Sequence, residues 1–219
     1  MKRSIVSFGC SFVRGSHDVE NPRRANKGDT PTFPKIQKHE TTTGNYRKGE
    51  TCFTSELGEI EGVHTMNYGI GGTGVRSAIF KALDYIENNS RAFHSNVIIG
   101  ISELSRFDFV TPTVHHKWPK LPEEEYAKYF NIEDVVLEIK MLLKLTYCYF
   151  KEKNIPVLFI NTMNCDLSTR NIVPTFIFPN GMEHWRDYIT SYDSTYRYEH
   201  PNIADHKHLA KLLVNKFDF

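Results

Sequence analysis

Apolar residues recur along this chain in two alternating rhythms. Four short runs, Ser4–Gly9, Val63–Tyr68, Val97–Ser102 and Pro156–Asn161, are rich in Val, Ile and Phe and stop at small or polar residues. They read as β-strands. Between them the spacing changes to that of a helix. Val75, Ala78, Ile79, Ala82, Leu83 and Ile86 make one stripe. Ile132, Val135, Val136, Ile139, Leu142, Leu143, Thr146, Tyr149 and Phe150 make a longer one, with i, i+3, i+4 spacing held for about five turns. His206, Leu209, Ala210, Leu213 and Phe217 make a third, and Phe53–Glu59 a weaker fourth. Strands alternating with helices predict an α/β protein: a parallel sheet with helices on both faces.

Three stretches break the rhythm. Residues 16–51 are polar and rich in Gly, Pro and Lys, residues 111–131 carry prolines and His115-His116, and residues 163–199 are mixed, with Trp185 and several tyrosines. Loops of this length in a compact domain are usually either functional or disordered. The chain, 219 residues long, is the size of one domain, residues 1–219, with these three loops attached.

Composition removes several function classes. Lys and Arg number 27 against 26 Asp and Glu, a net charge of +1. Such balance gives no global attraction to nucleic acid or anionic membranes. The longest apolar runs, Val97–Ile101 and Pro156–Ile160, are far short of the ~20 residues of a membrane span. Cys10, Cys52, Cys148 and Cys165 are sparse and form no C-x-x-C pair, so a reduced, cytoplasmic protein is expected rather than a disulfide scaffold. The histidines at 115, 116 and 184 show no metal-ligand spacing, and no metal or cofactor is expected. Oligomeric state is not legible at this level.

Parallel α/β sheets bind ligands at the carboxyl ends of their strands. There the chain places Gly9-Cys10-Ser11-Phe12, Asn67-Tyr68-Gly69-Ile70-Gly71-Gly72 and Gly100-Ile101-Ser102-Glu103, and before the last helix His200-Pro201-Asn202. A serine, a glycine turn, a second small hydroxyl and a histidine are the parts that acyl-group hydrolysis needs: nucleophile, oxyanion donors and base.

In these blocks the sequence resembles the SGNH (GDSL-type) hydrolases. Their first block, G-D-S-(L/F), corresponds to Gly9–Phe12. The second, N-x-G-x-x-G, is matched in full by Asn67–Gly72. The third, G-x-N-D, is matched in part by Gly100–Glu103, and the fifth, D-x-x-H-P, in part by Arg197–Pro201. The G-C-S-F variant resembles a divergent subgroup. The resemblance implies a three-layer αβα sandwich with a flavodoxin-like parallel sheet, and an esterase or deacetylase acting on a small-molecule or carbohydrate ester. It implies Ser11 as nucleophile, His200 as base, and the N–H groups of Ser11 and Gly72 with the Ser102 side chain as oxyanion donors. Four positions depart from the family pattern: Cys10 and Glu103 each stand for an aspartate, and the other two bear on the catalytic roles. Ser102 stands where the family has asparagine, and Arg197 where it has the aspartate that orients the base. Glu199, Asp193 or a backbone carbonyl takes that orienting role.

Two other readings stand beside this one. Without the acid, the chain is a degenerate SGNH-like module that binds a glycan or a partner. Alternatively, Gly69, Gly71 and Gly74 spell G-x-G-x-x-G between a strand and a helix, a dinucleotide fingerprint. Its acidic partner, Glu103, then comes roughly 30 residues on, later than the usual ~20. Cys10 is either a reactive thiol or a small buried residue. His206 is expected to pack inward and His208 to be solvated. Trp118, Trp185, Tyr188, Tyr192, Tyr196 and Tyr198 either line a sugar cleft or pack the loops onto the core. Arg106 and Asp108 are candidate substrate contacts.

Overall fold

The computed structural model describes residues 3–14, 52–69, 74–102, 131–163, 168–193 and 201–217. Strands β1 (Ser4–Gly9), β2 (Thr65–Gly69), β3 (Ser95–Ile101) and β4 (Val157–Asn161) form one sheet in the order β2-β1-β3-β4. Every pairing is parallel, with Phe8 opposite both Tyr68 and Ile99, and Ile99 opposite Phe159. Beyond β4, single bridges join Phe159 to Thr175 and Asn161 to His184.

Six helices cover the sheet among the described residues: α1 (Ser11–Arg14), α2 (Phe53–Glu61), α3 (Val75–Asn88), α4 (Ile132–Glu152), α5 (Trp185–Tyr192) and α6 (Ile203–Leu213). Successive strand residues point to opposite faces, so β1, β3 and β4 each feed two cores, while Met66 and Tyr68 of β2 pack on one of them. Val6, Phe8, Val97, Ile99, Ile101 and Phe159 pack with Ile79, Ile139 and Leu143 of α3 and α4. Ile5, Ile98 and Ile160 pack with Val13, Phe53, Leu57, Trp185, Ile189 and Leu209 of α1, α2, α5 and α6. The result is the three-layer αβα sandwich expected. None of the described helices is long and apolar enough to cross a membrane.

The elements differ from the sequence expectation at a few points, each with a physical cause. The second strand starts at Thr65, not Val63. Gly62 ends α2 in the left-handed conformation (φ 64°) with its N–H on Gly58 O, and Val63 N–H also reaches that carbonyl, at 3.0 Å. Val63 therefore closes the helix cap instead of opening the strand. The third strand begins earlier, at Ser95. Ser95 and Asn96 are polar but fully buried, and the Ser95 hydroxyl lies 3.0 Å from Ser4 Oγ. The last helix stops at Leu213, and Phe217 packs on the core from the turn beyond it. Part of the stretch expected as a third loop is the ordered helix α5. The expected loop at 16–51 lies outside the described residues, as does the one at 111–131 up to its last residue, Asn131, which is the N-cap of α4.

Candidate active site

The strand order reverses between β1 and β3: the chain leaves β1 toward β2 on one side, then returns to β3 on the other. In an open parallel sheet this reversal opens the crevice in which ligands sit, at the carboxyl edge. Ser11 opens α1 directly beyond β1, and Ser102 comes right after the last residue of β3. Two of the residues picked out by sequence thus follow the two strands on either side of the reversal. Residues 70–73 of the glycine turn after β2 lie outside the described residues. Gly74, its last glycine, caps α3 with extended backbone at φ −94°.

Two glycines set how closely α1 lies on the sheet. A Cβ on Gly9 or on Gly100 would overlap Val13 Cγ2. Val13 is fully buried and fills the groove these two residues leave on neighbouring strands. The local demand is close approach of helix and sheet, and it fixes the start of α1, where Ser11 sits. Val13 N–H also reaches Cys10 O at 3.0 Å.

Asn67, the first residue of the glycine block, holds the same corner together. Its Nδ2 donates to Val13 O at 2.7 Å and to Cys52 Sγ at 3.2 Å, and its Oδ1 accepts from Gly69 N–H at 2.8 Å. One side chain thereby ties α1, the cap of α2 and the turn out of β2. Cys52 is the N-cap of α2, with Ser55 completing a capping box.

Cys10 resolves in favour of a structural thiol. It is 1% exposed, with Sγ 3.6 Å from Thr162 Oγ1. The single proton of the Thr162 hydroxyl goes to Ile101 O at 2.9 Å. A hydroxyl has one donor, so the Cys10 S–H must be the donor in the contact with Thr162. Cys10 thus links the end of β1 to the end of β4.

Ser102 is fully buried, and Asp193 is the C-cap of α5, its N–H on Ile189 O. His200, Gly72, Glu199 and Arg197 lie outside the described residues, as do Trp118, Tyr196, Tyr198, Arg106, Asp108, His115 and His116. The entry to α6, just past His200, is firmly held. Asn202 and Asp205 form a capping box there, at 2.8 and 3.0 Å. Asp205 also accepts from Tyr192 Oη at 2.7 Å, which pins this entry to α5. Burial, then the bond to Asp205, push the Tyr192 phenol well above its ordinary value.

The aromatics of α5 go to packing. Trp185 and Tyr188 are buried, Trp185 edge-on to Phe12, Phe53 and His206. His206 is buried, as its spacing implied, and its Nδ1 accepts from Phe53 N–H at 3.2 Å. His208 is exposed, but its Nε2 is 2.9 Å from Tyr188 Oη.

A polar group at the carboxyl end of β4 escaped the sequence reading. His184 Nδ1 lies 3.2 Å from Asp187 Oδ2, and Asn161 Oδ1 accepts from Thr169 Oγ1 at 3.1 Å. The i, i+3 spacing of His184 and Asp187 ahead of a helix was the only signal available. Among the described residues no group of three or more His, Cys, Asp or Glu side chains could hold a metal ion.

No protein-family model matches the chain, and no curated protein sequence matches it. Solved structures do. A member of the G-D-S-L lipolytic family from Veillonella parvula superposes with a TM-score of 0.52 at 13% identity, over 98% of this chain and 97% of that one. A protein assigned to the same family from Desulfitobacterium hafniense gives 0.51 at 9% identity, over 96% and 97%. The chain shares the fold of these proteins. LAE5, an α/β-hydrolase enzyme from the metagenome of Lake Arreo, gives 0.51 at 11% identity, over 97% and 93%. On this fold the first three sequence blocks begin in the last three residues of β1, β2 and β3.

Proposed function

We propose that this chain is a serine ester hydrolase whose site is the crevice between β1 and β3. The observation that supports the reading is that β1 and β3 lie on either side of the reversal of strand order, with Ser11 opening the helix after β1 and Ser102 the first residue after β3. Ser11 Oγ attacks the acyl carbonyl carbon and its proton passes to His200. The N–H groups of Ser11 and Gly72 and the Ser102 hydroxyl receive the developing oxyanion. Collapse expels the alcohol, which takes the proton from His200. Water then attacks the acyl-enzyme by the same route and releases the acid. Glu199 or Asp193 orients the imidazole in place of the family aspartate. The chemistry calls for no cofactor and no metal.

The substrate we favour is an O-acetyl group on a carbohydrate, or a similar small ester, for which a chain of net charge +1 needs no charge complement. The cysteines are sparse and form no C-x-x-C pair, and on that pattern the site of action we favour is cytoplasmic. Short nitrophenyl esters and acetylated sugars test the reading. Turnover of acetyl esters should fall by about 10⁴-fold or more in Ser11→Ala and in His200→Ala. It should also decline below about pH 6.5 as an ordinary imidazole protonates. A rate that stays flat down to about pH 4 removes His200 as the base. No turnover of any short ester replaces the hydrolase with the degenerate binding module.

A further inference from the structure

We propose that the outer face of α4 joins two copies of this chain in an antiparallel, two-fold symmetric dimer. Leu137, Met141 and Leu145 are 58%, 57% and 64% exposed. At i, i+4, i+8 they form one apolar ridge along the solvent side of a helix whose other face, through Val135, Ile139, Leu143 and Phe150, is already in the core. Contiguous exposed apolar surface of this kind marks a contact site more often than a solvated one.

Charge selects the occupant and its direction. The first turn of α4 is acidic, with exposed Glu133 and Asp134, while exposed Lys140 and Lys144 lie in its middle and exposed Lys151 and Glu152 at its end. Glu138, between the first turn and the middle, is held by Arg76 of α3, Nε to Oε1 at 2.7 Å. A second copy running antiparallel brings the acidic first turn of each helix toward Lys144 and Lys151 of the other. A parallel copy opposes like charges over the whole length. An isologous pair needs a self-complementary patch of this sort.

Surface shape sets the register. One concavity of about 240 Å³ is lined by Glu133, Val136, Leu137 and Lys140. A second of about 230 Å³ lies by Lys140, Met141, Lys144 and Ile172. With the two-fold axis near Met141, Leu145 of each copy enters the first concavity of the other, and the two Met141 side chains meet by the second. A helix of 21 residues is about 31 Å long at 1.5 Å per residue. Pairing along it buries on the order of 1,000 Å² in total, the low end for a specific interface and fitting a micromolar dimer.

Sedimentation velocity on the full chain from roughly 1 to 100 µM tests this in the concentration range of such an interface. The expected result is a reversible shift from the 25.4 kDa chain to twice that mass. Leu145→Glu, or Met141→Lys as an independent second variant, should hold the protein monomeric with an unchanged circular dichroism spectrum, since both positions are exposed. Register is read by oxidation. In a Cys148→Ser background, Met141→Cys should form an intermolecular disulfide. Wild-type Cys148 should not, because the two copies lie about 21 Å apart along the axis at 1.5 Å per residue. A monomer across the whole range overturns the proposal. So does a dimer that survives both variants, and cross-linking through Cys148 in place of position 141 overturns the antiparallel register.

Discussion

Gly100→Ala probes the geometry on which the site depends. The new Cβ overlaps Val13 Cγ2 and comes within 3.1 Å of Thr162 Cγ2. Val13 is fully buried against the sheet and has nowhere to turn, so α1 must lift. Overpacking of a closed core costs about 1–3 kcal/mol. Val13→Ala alone removes two buried methyl groups, about 1.6 kcal/mol of transfer energy at ~0.8 per group, and the cavity adds to this, for about 2–3 kcal/mol in all. In the double variant the alanine at 100 occupies space that Val13 has left. The pair should therefore fall short of additivity by about 1–2 kcal/mol. Urea unfolding of the four proteins, with equal m-values, measures the coupling. Because α1 begins with Ser11, Gly100→Ala should also lower kcat more than it raises KM, and Val13→Ala should restore part of the loss. Additivity within about 0.5 kcal/mol, or a Gly100→Ala protein as stable as wild type, refutes the claim that these two glycines set the seat of α1.

Other consequences rest on single contacts. If Ser102 donates to the oxyanion, Ser102→Ala should reduce kcat by about 10²–10³-fold with little change in KM; equal turnover removes it from the oxyanion hole. The Tyr192 phenol is pushed above its ordinary value by burial and by Asp205. Its protonated form is thus favoured by folding, and the stability it contributes is intact below about pH 10 and lost as pH rises beyond that. Wild type should lose stability in alkali more steeply than Tyr192→Phe, and parallel pH curves would contradict the assignment. Mild alkylation of the native protein, then peptide mapping, should modify exposed Cys148 and spare buried Cys10 and Cys52. Rapid modification of Cys10 would reinstate it as a reactive thiol.

The parts of this fold that were legible in sequence are those in which one physical signal dominates. The four strands announced themselves because apolar residues are needed on both faces of a covered parallel sheet. Helix α4 announced itself because its inward stripe repeats over many turns. The missed parts lie where polar groups do core work or an element is too short to show a period. Ser95 and Asn96 extend β3 while looking like loop residues. Trp185, Tyr188 and Ile189 supply one turn of stripe, too little to separate α5 from its polar flanks. The first three blocks fall at the ends of β1, β2 and β3, where Gly9, Gly100 and Asn67 are required by local contacts. No motif announced that Cys10 would be spent on Thr162, because that bond joins residues 152 positions apart. The two buried aromatics of α5 likewise went to packing rather than to a sugar cleft.

The most direct test of the nucleophile is covalent. A fluorophosphonate reacts with an activated serine and leaves a stable phosphonyl adduct that peptide mass spectrometry locates. The account predicts one adduct, on Ser11, formed at a rate that falls in His200→Ala and absent in Ser11→Ala. An adduct on any other residue, or undiminished labelling of Ser11→Ala, would contradict it.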